Sequence, residues 1–537
     1  MWQQVYLPVA DSLAYSALVA ALPIVVMLVM IGILQKPPWA AAVAGLGTAL
    51  VIAIGVYGMP TGLAVSSVTF GAAFGLFPIC WIVFWAIVLY RLTLESGKFE
   101  IIKDTIGGLT SDRRMQAMLI AFALGAFIEG SAGFGTPVAV GATMLVGLGF
   151  TRFYAAGICL LANTAPVAFG SIGIPIIALA GLTGFPEMEL SSWVGALCAP
   201  ISLFIPAYLI WVMGGLSAVR GVLPAVAVCG ISYAAVQFGV SNFIGPQLVD
   251  ISSGLAAIVA LVLLLQVWKP ADEFHLEGET GATLELKSHS FKPALHAWSP
   301  YLLLVVLVLL WTTPWFKGAV LETVTMRIEW PGLHNLVARM PPVVGEAAPY
   351  GAVFNGNWGS AAGTACMFST MAAAAVLGVS PAAYIRLLGS VFNQLFLAFV
   401  TVASILGFAF LMNYSGAAAT LGLAFAATGV VFPFFSAILG WLGVFMTGSD
   451  VSSNALFANL QVITANQLGL DAALMASANS AGGVMGKMIS LQSIAVAGAA
   501  TLMSSSEQVK LFRFTLKHSI FLASMMGLLT MAYAYLL

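Results

Sequence analysis

The chain has 537 residues, 61% of them hydrophobic and only 7% charged, against about 25% charged in soluble proteins. Its formal net charge of −1 offers no basic surface for nucleic acid. Apolar runs near the ~20 residues that cross a bilayer recur along almost the whole length, and the short alternating segments of a transmembrane barrel are missing.

The expected fold is therefore an all-α polytopic membrane protein with about 12–14 transmembrane helices. The five cysteines, Cys80, Cys159, Cys198, Cys229 and Cys366, all lie in apolar runs without a Cys-x-x-Cys pair. They read as small packing residues, with no disulfide framework and no metal site. No cleavable signal peptide is visible, so the first apolar run reads as a retained helix.

In chain order, spans are expected at 13–34, 40–57 and 62–90. Lys36-Pro37-Pro38 ends the first, and Gly58-Met59-Pro60 is a turn. The polar stretch 91–114 carries Arg91, Lys98, Lys103, Arg113 and Arg114. The positive-inside rule places it, with Lys36, in the cytoplasm, which leaves the N-terminus outside.

An apolar run from Ala117 to Ile128 then leads into GAFIEGSAGFGTPVAV at 125–140. Glu129 interrupts it, followed by Gly130, Gly133, Gly135 and Pro137. A buried core helix has no reason to carry that insert. A membrane helix broken at mid-depth around a polar site does. The next span, 153–184, is interrupted at Asn163-Thr164-Ala165-Pro166 and again at 170–175.

Ordinary spans follow at 190–213, 221–240 and 245–267, with Arg220 a cytoplasmic marker. Residues 268–297 form the one long hydrophilic loop, with Lys269, Lys287, Lys292, Asp272, Glu273, Glu277, Glu279 and Glu285. It reads as a cytoplasmic linker between an N-terminal membrane half, 1–267, and a C-terminal half, 298–537. His275, His289 and His296 in it read as solvated surface.

The second half opens with a span at 299–316 and an external segment reaching Glu346 that contains Arg339-Met340-Pro341-Pro342. A broken or re-entrant element suits the Gly- and Ala-rich 347–377, with Asn355 and Asn357. Spans are expected at 384–411 and 417–446, with Arg386 a cytoplasmic anchor. The region 447–505 is interrupted again, with broken elements at 443–458 and 479–495. Lys510, Arg513 and Lys517 approach a last helix at 519–537, which leaves the C-terminus outside.

An internal repeat links the halves. Gly125-x-Phe127-x-x-Gly130-Ser131 recurs as Gly443-x-Phe445-x-x-Gly448-Ser449, 318 residues on. Asn163-Thr164-Ala165 recurs as Asn479-Ser480-Ala481, 316 residues on. Interrupted helices at corresponding positions of two halves point to a transporter's binding site.

The chemistry suits an anion. Half-helix N-termini present N–H groups with partial positive charge, glycines allow close approach, and Ser and Asn add hydrogen bonds. Gly130, Ser131, Asn163, Thr164, Gly448, Ser449 and Asn479 are the candidate substrate-binding residues, with Arg339 and Lys487 as cations. A carboxylate held away from water can take up and release a proton. Glu129, Asp450 and Glu346 are thus the candidate proton-coupling residues. The structural alternatives stay open: Glu129 and Asp450 as a structural pair or helix caps, Lys487 as the counter-charge of Asp450 alone, and Arg339 as an interface residue.

At these residues the chain resembles the L-lactate permease family. The matching stretches include 125–140, YAAGICLLANTAPVAFGSIGIPI at 154–176, SNFIGPQL at 241–248, LVARMPPVVGEA at 336–347, FFSAILGWLGVFMTGSDVSSNALFANLQ at 434–461, GGVMGKMISLQSIA at 482–495 and LFRFTLKHS at 511–519. Two positions depart from the family pattern: Ser131 stands where Ala is expected and Leu491 where Pro is expected.

The resemblance implies a bacterial inner-membrane symporter that imports L-lactate, D-lactate and glycolate with protons. It also implies a fold with two inverted repeats, re-entrant hairpins and broken helices. The expected partners are a monocarboxylate anion, protons and the lipid bilayer, and a homodimer is among the assemblies open to such a chain. No nucleotide-binding loop is present, so neither ATP coupling nor a cofactor is expected. Three alternatives remain: a sodium-coupled carboxylate transporter, a passive anion channel, and a membrane enzyme, which no metal or nucleophile constellation supports.

Overall fold

The computed structural model describes residues 1–133, 135–276, 278–279, 287, 289–316, 318 and 325–536. Phe134, Glu277 and Glu285 lie outside the described residues. Among these, eleven helices are long and apolar enough to cross a bilayer. Two half-length helices on either side of the break at 163–173 have together the length of a twelfth, about 30 Å at 1.5 Å per residue. Large apolar side chains such as Leu18, Val51, Phe204 and Leu263 point outward, as a lipid-facing surface requires.

Two re-entrant hairpins organise the interior. In the first, helical residues 113–124 continue into α1 (Gly125–Ser131). Gly133 and Gly135 have φ of 63° and 79°, which a residue with a Cβ rarely adopts. They turn the chain so that α2 (Thr136–Gly147) packs back beside 117–124. Two further half-helices follow. α3 (Arg152–Ala162) starts with the Thr151 hydroxyl accepting from Tyr154 N at 3.3 Å. After the break, Gly173 and Pro175 start α4 (Ile174–Thr183). Pro is suited to that first turn because the helix needs no N–H there. α5 (Val249–Val267) packs against α1.

The second hairpin consists of α6 (Phe432–Thr447), a tip at Gly448-Ser449, and α7 (Asp450–Leu468). α8 (Ala472–Lys487) and α9 (Leu491–Ala500) are separated by a break at 488–490. Ser490 makes that break by capping α9, its hydroxyl accepting from Ser493 N at 3.1 Å. Leu491 is the first residue of α9, the helical position that Pro tolerates best, so the departure from the family's Pro leaves the break in place.

The motif ending at Ser131 and the one ending at Ser449 both reach a hairpin tip. The Asn pair is not equivalent in local structure. Asn163 is the first residue beyond α3, whereas Asn479 sits inside α8, before Lys487 ends it. The broken elements are also narrower than the expected 443–458 and 479–495. Hydropathy missed two interruptions. The span expected at 62–90 breaks at Gly75–Cys80, where Phe77 is extended (φ −140°, ψ 123°), as the residue before a proline prefers. The span expected at 417–446 breaks at Ala426–Val431.

Residues 326–356 form a small β cap, and the Gly- and Ala-rich stretch expected to hold a broken or re-entrant element ends in a short apolar helix, Ala362–Val376. β1 (Trp2–Gln3) pairs in parallel with β3 (Val337–Arg339), which pairs antiparallel with β4 (Ala348–Pro349). β2 (Met326–Glu329) pairs antiparallel with β5 (Val353–Gly356), Met326 opposite Gly356. These strands are a departure from a purely α fold. The N-terminus therefore lies on the cap's face. The C-terminus shares it: Gln467 at the end of α7 donates to Pro342 O at 2.7 Å, and Tyr535 donates to Val430 O at 2.9 Å, just before α6.

On the opposite face the linker docks onto the basic stretch. Arg114, 1% exposed, binds Asp112 at 2.7 Å and Asp272 at 3.1 Å. Arg113 binds Glu279 at 3.0 Å, and His289 meets Asp104 at 2.8 Å. His289 is thus paired and mostly buried, not the solvated residue expected. Burial works against the charge on Glu279, but Arg113, the Leu276 amide and His275 together hold its carboxyl down at about 2.

A buried charge cluster between two hairpin tips

Glu129 sits on the last turn of α1, Asp450 opens α7 and Lys487 ends α8. They are 4%, 4% and 8% exposed. All three line one cavity of about 410 Å³. Each is brought there by a helix end, so the breaks in the backbone are what assemble the cluster.

The Lys487 ammonium donates to the Gly448 carbonyl at 2.6 Å. Glu129 and Asp450 are its two electrostatic partners. Neither carboxylate forms a direct ion pair with it among the described residues. One oxygen of Asp450 accepts from the Ser480 hydroxyl and from Asn454 Nδ2, the latter at 3.5 Å; the other has no partner. Glu129 Oε2 also has none, and Asn163 stands beside that carboxylate without a hydrogen bond of good geometry. The N-terminal ends of α4 (Ile174, Pro175) and α7 (Asp450, Val451, Ser452) border the same space. A small anion entering it meets an ammonium with N–H groups to spare and two helix N-termini.

A second cavity of about 570 Å³ lies under the cap, lined among others by Arg339, Asn355, Asn413 and Asn459. The Arg339 guanidinium stacks 4.9 Å over the Tyr350 ring, a cation–π contact. α4 and α7 pack against each other between the two spaces. Their first residues line the inner cavity, and Ile177 and Asn466 farther along line the outer one.

The structure sorts the expected site residues. Glu129, Gly448, Ser449, Asp450 and Lys487 line the inner cavity. Gly130 instead packs against α5, where a Cβ would lie 2.7 Å from Ile251 N. Ser131 donates to Ile128 O at 3.3 Å and Thr164 to Leu161 O at 2.7 Å. Hydroxyls at helix ends often bond the preceding turn in this way. Asn479 accepts from Gln461 at 2.7 Å and donates to Asn454 at 2.9 Å, so its amide is committed to an internal network. Arg339 belongs to the outer cavity, and Glu346 is exposed on the cap. The structure does not bring these two to the charge cluster.

One residue was missed. Asp250, near the start of α5, is 2% exposed, and the Gly170 amide stands beside its carboxylate without a hydrogen bond of good geometry. The signal was available as a carboxylate in an apolar run, Leu248-Val249-Asp250-Ile251, within a span read as ordinary.

The sequence profile described as L-lactate permease matches residues 16–537. The L-lactate permease of Salmonella typhimurium is 44% identical over 547 residues, covering 100% of this chain and 99% of that one. The L-lactate permease of Bacillus subtilis is 43% identical, with 98% of each chain covered. A glycolate permease of Escherichia coli K12 is 42% identical, covering 99% of this chain and 98% of that one. This chain, a multi-pass membrane protein, belongs to the L-lactate permease family.

Proposed function

We propose that the protein imports L-lactate, together with D-lactate and glycolate, by proton symport across a bacterial inner membrane. The observation that carries this reading is the placement of one ammonium, Lys487, and two carboxylates, Glu129 and Asp450, all three buried side chains, on a single cavity. The names of the relatives supply the substrate class.

In the proposed cycle the substrate carboxylate docks against Lys487 and the N-terminus of α7. Its negative charge, next to Glu129 and Asp450, favours a proton on one of them. By reciprocity a bound proton favours the anion. Anion and proton then move together as a neutral pair, which lowers the cost of carrying charge through the bilayer interior. Rearrangement of the α4–α7 wall would expose the site first to the outer cavity and then to the opposite face. In this reading the face that carries the basic stretch 91–114 and the docked linker is cytoplasmic, as the positive-inside rule favours, and the cap and both termini are periplasmic. The halves 1–267 and 298–537 are the two repeat units of this proposal.

The test is uptake of labelled L-lactate into vesicles under an imposed proton or sodium gradient, with unlabelled D-lactate and glycolate as competitors. Accumulation driven by the proton gradient alone is the expected result. Uptake that requires sodium and ignores protons would overturn proton coupling, and failure to accumulate above equilibrium would leave a channel.

A further inference from the structure

We infer that Asp250 is a proton-relay residue that connects the cap-side face of the protein to Glu129. Its surroundings argue against a structural role. Both of its oxygens are buried without a hydrogen bond of good geometry. The groups that face it are the Glu129 carboxyl from α1, Tyr233 from helix 223–243, Cys198 from helix 187–221 and the Gly170 amide from the break after α3. No cation is among them. The start of α5 and the Gly170 amide offset part of the cost of burying this carboxylate, but with no ion pair among the described residues the charge remains costly there. Carrying a proton suits that position.

Position supplies the rest. Gly130 lets α1 and α5 touch: a Cβ at residue 130 would lie 2.8 Å from Asp250 Cβ. That contact sets Asp250 beside Glu129 where the two helices touch. On its other side, Gln247 stands about one turn earlier in the same chain segment, since three residues rise ~5 Å. Gln247 borders a cavity of about 470 Å³ that reaches Asn357 and Ser360 of the cap segment, and it donates to Glu187 at 3.3 Å. Asp250 thus stands about one turn beyond the Gln247 border of the cap-side cavity, on the way to a carboxylate that lines the substrate cavity. In the relay, the O–H bond of the Asp250 carboxyl breaks as an O–H bond forms on Glu129. A proton then returns to Asp250 from the cap side, across the turn that separates it from Gln247. The proton enters by a different route from the anion, which approaches past Arg339.

This inference rests on the proton-symport reading, and the test separates the two. The full-length protein is reconstituted in proteoliposomes, and labelled L-lactate is followed both as accumulation under a proton gradient and as lactate–lactate counterflow at constant pH. The relay predicts that Asp250→Asn lowers proton-driven accumulation ~10-fold or more while counterflow continues, and that Asp250→Glu restores accumulation with a displaced pH profile. A wild-type protein indifferent to the proton gradient overturns both readings. A responsive wild type overturns the relay alone if Asp250→Asn accumulates equally well, or if it loses counterflow as fully as accumulation. Should Asp250→Asn fail to insert, Asp250→Glu decides: a pH profile superimposed on that of the wild type overturns the relay.

Discussion

Lys487 Nζ donates to the carbonyl oxygen of Gly448 at 2.6 Å, tying the end of a broken helix to the tip of a re-entrant hairpin. Gly448 has a φ of 71° and is the C-terminal cap of α6. Its carbonyl belongs to a helix end that carries partial negative charge, and a backbone oxygen holds the ammonium in place without neutralising it. The remaining N–H groups of Lys487 stay available to the cavity. A carboxylate in place of Gly448 O would have used up the charge that an anionic substrate needs.

On that arrangement, Lys487→Ala removes the one full positive charge on the inner cavity among the described residues. Hydrogen bonds to charged groups contribute ~1.5–3 kcal/mol, so the apparent KM for lactate should rise ~10–100-fold. Lys487→Arg should not restore it, because a planar guanidinium cannot reproduce a compact ammonium anchored on a carbonyl. Initial-rate uptake over a range of lactate concentrations measures this, and an unchanged KM removes Lys487 from the substrate site.

Glu129→Gln and Asp450→Asn keep shape and remove the titrating group. The one made at the proton-carrying carboxylate should abolish uphill uptake while lactate exchange continues. The two variants should differ in stability. Each carboxylate has one oxygen without a partner, but the other oxygen of Asp450 accepts from Ser480 and Asn454, so Asp450→Asn should cost more folded protein. Exchange assays together with size-exclusion of the solubilised variants report both. Loss of membrane-inserted protein in both variants would make the two carboxylates structural.

The packing that holds Lys487 in place can be tested apart from its charge. α6 and α8 cross so closely that a Cβ on Gly482 would meet the Ala437 carbonyl, and one on Gly440 would meet the Asn479 carbonyl. Neither obstacle is a flexible side chain. Gly482→Ala should therefore destabilise the protein by ~1–3 kcal/mol and lower its thermal midpoint in detergent. A variant with an unchanged midpoint would mean that the two helices part without cost.

Which parts of this site were legible follows from the kind of signal each one leaves. The hairpin tips show in sequence because glycines, a proline and a carboxylate cannot all be apolar filler in a membrane run. Lys487 shows for the same reason. The Asn479 match misleads because identical letters at a similar offset carry no register: a network of Gln461, Asn454 and Ser480 absorbs that side chain, and only packing reveals it. Asp250 hides because one carboxylate near the end of an apolar span looks like an ordinary helix end. The β cap escapes because strands of two to four residues are too short for any periodicity. The break at Phe77-Pro78 escapes because hydropathy does not register backbone direction.

The linker offers a pH test outside the membrane. Glu279 is held down at about 2 in the folded protein, from an ordinary value of 4.5. A depressed carboxyl contributes stability that is fully present above its unfolded value and is lost as pH falls toward its folded value. The contact of Glu279 with Arg113 should therefore be intact at pH 5 and above, and weaken between about pH 4.5 and 2. Hydrogen exchange at the Leu276 amide, which donates to Glu279 at 2.6 Å, should accelerate beyond its intrinsic rate only in that window. Glu279→Gln should show the faster exchange at pH 7 without any change in lactate KM, because the linker docks on the face opposite the cap. Protection at Leu276 that is the same in both proteins would show that the Arg113 contact does not hold the linker.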